Sequence, residues 1–174
     1  AYLDVIRAVL PRDGIITIEL SQMGFTSYFG YPVYEPRTYI SEGYQGTLGF
    51  GFPSALGVKV AHPDKPVVCL TGDGGFMFAA QELATATQEQ IALVVLVFNN
   101  SSFGNVRRDQ EKRFGNRLIG AELSNPDFQQ FAASFGIVAH RISTPEELRP
   151  LLAQAIAMHE TVLIEIDTPI GSET

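Results

Sequence analysis

Two hydrophobic patterns alternate along the chain. Short runs rich in β-branched residues, at 15–19, 38–41, 67–71, 93–98, 137–142 and 162–166, read as strands. Segments of helical length and period lie between most of them, at 52–61, 80–88, 127–135 and 145–159. The chain also enters on a helical pattern formed by Leu3, Val5, Ile6, Val9 and Leu10. The runs at 67–71 and 93–98 are apolar throughout rather than alternating, as expected of strands covered on both faces in a parallel sheet. The expected fold is α/β, with three layers, α/β/α, around a mostly parallel six-stranded sheet. Thr144-Pro145-Glu146-Glu147 offers an N-cap, a first-turn proline and acidic residues facing the helix dipole, and Asn125-Pro126-Asp127 is a similar start. With no repeat, low-complexity tract or long linker, residues 1–174 are expected to form a single domain.

Composition narrows the classes. Hydrophobic residues make up 45% of the 174 and charged residues 18%, the balance of a folded chain with a generous core. At this length folding buries roughly two-thirds of the unfolded surface. The net charge of −7 argues against a nucleic-acid partner, which needs Lys and Arg in excess. The one basic cluster, Arg107-Arg108 with Lys112-Arg113, is spaced to line a solvated helix face. Cys69 sits alone within an apolar run, so neither a disulfide framework nor a thiolate metal cluster is expected. The longest apolar run, 91–98, is far too short to span a bilayer, and with no signal peptide in view the expected setting is cytoplasmic, without a membrane partner. The chain opens with Ala1 rather than Met, and we expect a fragment of a longer protein.

In a parallel α/β sheet, ligands collect at the carboxyl ends of the strands. After the strand at 67–71 comes Gly72-Asp73-Gly74-Gly75, where glycines let backbone approach a phosphate and leave N–H groups to donate. Asp73 would repel an anion unless a divalent cation stood between them. After the strand at 93–98 comes Asn99-Asn100, and the span from Asp73 to Asn100 has the length of a βαβ crossover, which brings both ends to one edge of the sheet. The Asp73 carboxylate and Asn100 amide oxygen are hard ligands suited to Mg²⁺ or Ca²⁺, but too few to hold the ion without phosphates and water. The pattern therefore points to a metal-diphosphate site. No GxxxxGK[ST] is present, and Met77 stands where a dinucleotide fingerprint wants glycine or alanine.

The stretch GDGGFMFAAQELATATQEQIALVVLVFNN resembles the thiamine-diphosphate signature, a GDG followed just under thirty residues later by N or NN. Gly46-Thr47-Leu48-Gly49-Phe50-Gly51-Phe52-Pro53-Ser54-Ala55 resembles the G-x-M/L-G-x-G-x-P-x-A element of the same enzymes, and Asn99-Asn100-Ser101-Ser102-Phe103-Gly104 their NN-x-x-Y/F-G. The whole chain is similar to the C-terminal cofactor-binding domain of acetolactate synthase and its relatives. The resemblance implies Mg²⁺ ligation by Asp73, the Asn100 side chain and the Ser102 main-chain carbonyl, with Gly72, Gly74 and Gly75 around the diphosphate and Phe103 and Gly104 in the closing motif. It places Leu48 beneath the cofactor, as the apolar wedge that bends it, and the Gly46 carbonyl beside the 4′-amine, with Thr47 between them. Gln22 matches a diphosphate-contacting position, although Met23 follows where many acetolactate synthases have His.

The chemistry also needs a glutamate against the pyrimidine N1′ to promote deprotonation of C2. In this family that glutamate belongs to an N-terminal pyrimidine-binding domain of a neighbouring subunit, so the resemblance implies a homo-oligomer, dimer or tetramer, and assigns no catalytic residue to this chain. Glu42 is the one carboxylate near the pyrimidine-facing motif. His62, His140 and His159 fall outside every motif. The implied activity is decarboxylation of a 2-oxo acid with transfer of the acyl carbanion equivalent, and the fragment alone is expected to be inactive. Alternatives are a benzoylformate- or oxalyl-CoA-decarboxylase-like enzyme, a non-decarboxylating lyase or hydrolase, and a non-catalytic scaffold.

Overall fold

Six strands, all parallel, form one sheet. The computed structural model describes residues 1–169. In chain order the elements are α1 (Tyr2–Val9), β1 (Ile15–Ile18), α2 (Gln22–Gly30), β2 (Tyr39–Ser41), α3 (Gly51–Ala61), β3 (Val67–Gly72), α4 (Asp73–Phe76), α5 (Leu83–Gln88), β4 (Val94–Asn99), α6 (Gly104–Arg113), α7 (Phe128–Ala133), β5 (Val138–Ile142), α8 (Pro145–Ala157) and β6 (Val162–Asp167). All six expected strands form, and they lie across the sheet in the order β2-β1-β3-β4-β6-β5.

The sheet is buried on both faces because alternate residues of each strand point to opposite sides. Val68, Leu70, Leu96, Ile164 and Ile166 pack with α1 and α8 through Ile6, Leu148 and Leu152. Val67, Cys69, Val95, Val97 and Leu163 pack on the other side with Phe52, Leu83 and Phe128 of α3, α5 and α7. A fully buried Leu, Ile or Val contributes about 1.5–3 kcal/mol, and a layer on each face explains why β3 and β4 are buried at every position but their last.

Helix ends follow local chemistry. The Thr144 Oγ1 accepts from the Glu147 N–H and the Glu147 carboxylate reaches back to the Thr144 N–H, a complete capping box that starts α8. Asp127 caps α7 by accepting from Gln130 N–H at 2.9 Å, so that helix starts one residue later than its pattern suggests. The segment 80–88 opens as a 3₁₀ turn before α5. The segment 145–159 ends at Ala157, and His159 takes a left-handed conformation, φ 52°. Helices α2 and α6 carry little apolar periodicity: α2 exposes Tyr28 and Phe29, and α6 is polar along nearly its whole length. The basic cluster lies on α6, where Arg107 pairs with Glu111 and Glu122, and Arg113 with Asp109.

Cys69 is fully buried and free, and burial pushes its thiol up to about 12. Leu48 and Phe50 are half-buried, and Phe78, which packs against Gly49 between them, is largely exposed. Among the described residues no helix is long and apolar enough to cross a membrane.

Candidate functional site

From β1 the chain pairs with β2 on one side and then crosses over to β3 on the other. Such a reversal leaves a crevice beyond the carboxyl ends of β1 and β3. A cleft of about 480 Å³ lies there, lined by Leu20, Ser21 and Gln22 after β1, by Gly72 at the end of β3 with Gly74 and Gly75 beyond it, and by Asn100 and Ser102 after β4. Leu48, Phe103 and Gly104 complete the part that the motifs predict. Gly46 and Thr47 stand outside this lining. Glu42 stands outside it too, accepting a hydrogen bond from the Tyr28 hydroxyl at the edge of β2. That carboxylate, after burial, helps push the Tyr28 phenol up to about 12.

Register explains how distant residues meet. Gly72 pairs with Phe98 across β3 and β4, so Asp73 and Asn99-Asn100 leave the sheet side by side. Asp73 begins α4 just beneath the cleft, 2% exposed, and its Oδ2 accepts from Asn125 Nδ2 at 2.7 Å. Desolvation raises its pKa, opposed by the Asn125 hydrogen bond and by the backbone N–H groups of Gly74, Asp73 and Asn100. Asn100 Oδ1 accepts from Ser102 N–H at 3.1 Å, and Ser102 Oγ donates to the Ala121 carbonyl at 3.0 Å. Residues 101–103 are further tied down by hydrogen bonds between Phe103 and Ala121 and between Leu123 and Ser101.

The glycines of the turn serve a purpose beyond the one read from sequence. A Cβ on Gly74 would lie 2.5 Å from the Phe103 ring, and one on Gly75 would lie 2.6 Å from Glu19 Cγ. That space is filled from inside the protein, so close packing demands both glycines. Their N–H groups fall in the first turn of α4, where no intrahelical carbonyl serves them.

Glu19 is the site-forming residue that motif reading passed over. Only 1% exposed, it accepts from Gly49 N–H at 3.1 Å and Gly51 N–H at 2.7 Å, and so pins the loop carrying Leu48 against the Gly72–Gly75 turn. Burial raises its pKa against the pull of those amides. An acidic residue ending an apolar strand run was the available signal. Asn125 was also visible, but only as part of a helix start.

The residues present fit a diphosphate cofactor held through a hard cation. Gln22, at the start of α2 on the cleft wall, keeps a buried Nε2 with no hydrogen-bond partner among the described residues, a donor suited to an anionic oxygen. Asp73 and Asn100 present hard oxygens at adjacent strand ends. Among the described residues no cluster of three His, Cys, Asp or Glu side chains could hold a metal alone. His62 follows α3 at its C-cap, and His140 lies on β5.

The family described as the thiamine pyrophosphate enzyme C-terminal TPP-binding domain matches residues 20–166. A probable acetolactate synthase large subunit of Methanococcus aeolicus is 41% identical over 159 residues, covering 90% of this chain and 26% of that protein. A probable 2-ketoarginine decarboxylase of Pseudomonas aeruginosa is 34% identical over 167 residues, covering 95% and 30%. Among solved structures, a thiamine diphosphate-dependent 4-hydroxybenzoylformate decarboxylase of Rhodococcus jostii superposes with a TM-score of 0.90 at 27% identity, over 99% of this chain and 32% of that one. The chain thus spans about a quarter to a third of the length of these relatives. Fold, cleft and family match agree: this chain belongs to the thiamine pyrophosphate enzymes, as their C-terminal TPP-binding domain.

Proposed function

We propose that the cleft holds thiamine diphosphate through Mg²⁺, ligated by Asp73, the Asn100 side chain and the Ser102 main-chain carbonyl, in an acetolactate-synthase-like enzyme acting on 2-oxo acids. The observation that carries this reading is the emergence of Asp73 and Asn100 from neighbouring strands at the switch-point cleft. A cation there offsets the desolvation of the Asp73 carboxylate and turns its repulsion of a diphosphate into shared coordination. When bound, the cofactor supplies the electron sink that decarboxylation requires.

The chain's own residues bind and orient. Gln22 and the N–H groups of Gly74 and Gly75 face the diphosphate, and Leu48, on the loop pinned by Glu19, forms an apolar support. The carboxylate that works on the pyrimidine comes from the N-terminal domain of a neighbouring subunit, so the active unit is a homo-oligomer of the full gene product. A decarboxylase that releases the acyl unit rather than transferring it is a second reading, favoured by the 2-ketoarginine decarboxylase relative and the decarboxylase structure.

Calorimetric titration of the full gene product with thiamine diphosphate, with and without Mg²⁺, tests the site. Asp73→Ala is expected to abolish metal-dependent binding while the melting temperature of the cofactor-free protein is kept; unchanged affinity would overturn the assignment. Analysis of products from a panel of 2-oxo acids then separates transfer from release.

A further inference from the structure

We propose that Asn99, the first residue of the Asn-Asn pair, is a positioning residue that couples the two sides of the metal clamp; this rests on the cofactor site proposed above. Asn99 ends β4, and both ends of its side-chain amide are committed. Its Nδ2 donates to Glu165 Oε1 at 2.7 Å, and its Oδ1 accepts from Asn125 Nδ2 and from Ser101 N–H, each at 3.0 Å. The same Asn125 Nδ2 donates to Asp73 Oδ2 at 2.7 Å. Glu165, 1% exposed, is held in turn by Arg141 Nε at 2.8 Å.

The direction of this chain of hydrogen bonds is determined by its ends. Asp73 and Glu165 are carboxylates, which only accept. Asn125 must therefore turn its NH₂ to Asp73, and Asn99 its NH₂ to Glu165, which leaves Asn99 Oδ1 facing Asn125. One arm of Asn99 thus fixes Asp73 through Asn125. A second contact at the same Oδ1 holds Ser101, whose φ of 52° is costly for a residue with a side chain and turns the loop that presents Asn100 and Ser102. A buried carboxylate needs such partners, and here Glu165 with Arg141 forms the anchor.

Hydrogen bonds behind metal ligands set ligand orientation, and their loss costs roughly 10- to 100-fold in metal affinity. The test is Mn²⁺ binding followed by electron paramagnetic resonance on the full gene product with thiamine diphosphate present, alongside melting of the cofactor-free protein. Asn99→Ala is expected to weaken Mn²⁺ by that factor. Asn99→Asp is expected to do the same despite its added negative charge, because it sets a carboxylate against Glu165. Adding Glu165→Gln to Asn99→Asp restores a donor opposite an acceptor while keeping an oxygen for Arg141, and is expected to recover wild-type affinity. Asn125→Ala, in the loop before α7, reads the Asp73 arm by itself and is expected to weaken binding. Wild-type Mn²⁺ affinity in Asn99→Ala or in Asn125→Ala, or a double variant that melts like wild type yet binds as weakly as Asn99→Asp, overturns the positioning role. Asp73→Ala run in parallel separates the two proposals: retained binding there refutes the cofactor site, whereas abolished binding there with normal binding in Asn99→Ala refutes only the coupling.

Discussion

Gly75→Ala sets two features of the site against each other. The new Cβ would lie 2.6 Å from Glu19 Cγ and 3.0 Å from Glu19 Cδ, against a comfortable carbon–carbon separation of about 3.5–4.0 Å. Glu19 cannot simply swing away, because both its oxygens accept loop N–H groups, from Gly49 and Gly51. Overpacking a dense interior costs about 1–3 kcal/mol, and losing a hydrogen bond to a charged acceptor costs about 1.5–3 kcal/mol. Replacing a helical glycine returns about 0.5–1 kcal/mol. The net loss is about 2–5 kcal/mol, which at roughly 2–4 °C per kcal/mol for a chain of this size lowers the melting temperature by about 4–20 °C. Denaturant unfolding of the four chains of a double-mutant cycle with Glu19→Ala is the assay. Once Cγ and Cδ are gone the added methyl has room, so Gly75→Ala should cost at least about 1 kcal/mol less in the Glu19→Ala background. Costs that add to within about 0.5 kcal/mol would refute the account, since neighbours that do not touch behave that way.

Other outcomes follow from burial and pairing. Burial raises the Glu19 pKa above its ordinary 4.5, so the folded state holds that proton more tightly than the unfolded one. Its contribution to stability is full below about 4.5 and is lost as pH rises through the folded value. The wild type should therefore lose stability relative to Glu19→Gln as pH is raised from acid to neutral in unfolding titrations; a trend of opposite sign would rule out desolvation as the governing cause. The Cys69 thiol, pushed up to about 12 and fully buried, should not react with a thiol reagent at pH 8 until urea unfolds the chain. Stoichiometric reaction of the folded protein would contradict its placement. Thr144→Ala removes the capping box of α8 and should cost about 1 kcal/mol in denaturant unfolding; no change would show that Glu147 alone sustains the helix start.

What could be read from the chain alone divides by the range of the interactions involved. The nearly unbroken apolar runs of β3 and β4 declared a sheet covered on both faces, because a polar side chain on a buried strand face must find a hydrogen-bond partner, as Thr17 does at the Gly51 carbonyl. The capping signal at Thr144 was legible for a related reason, since it satisfies an N–H three residues away; the start read at Asn125-Pro126-Asp127 was legible as a boundary, but Asp127 is the cap and Asn125 turns to Asp73. The helices without apolar periodicity were harder to see. Helix α2 buries little more than Gly24 and Ser27, and α6 buries only Gly104 and carries i,i+4 pairs on a solvated face.

The site divides in the same way. Gly72-Asp73-Gly74-Gly75 and Asn99-Asn100 were readable because backbone conformation and strand ends are local properties, and the crossover length alone suggested that they meet. Glu19, Asn125 and Glu165 were not readable as parts of one site, since their partners lie 32, 52 and 66 residues away in sequence. Composition and period determined that this is a two-faced parallel sheet with polar groups concentrated at its carboxyl edge. Only the tertiary structure decided which buried carboxylate faces which amide, because hydrogen bonds between distant segments depend on strand register and leave no period in the sequence.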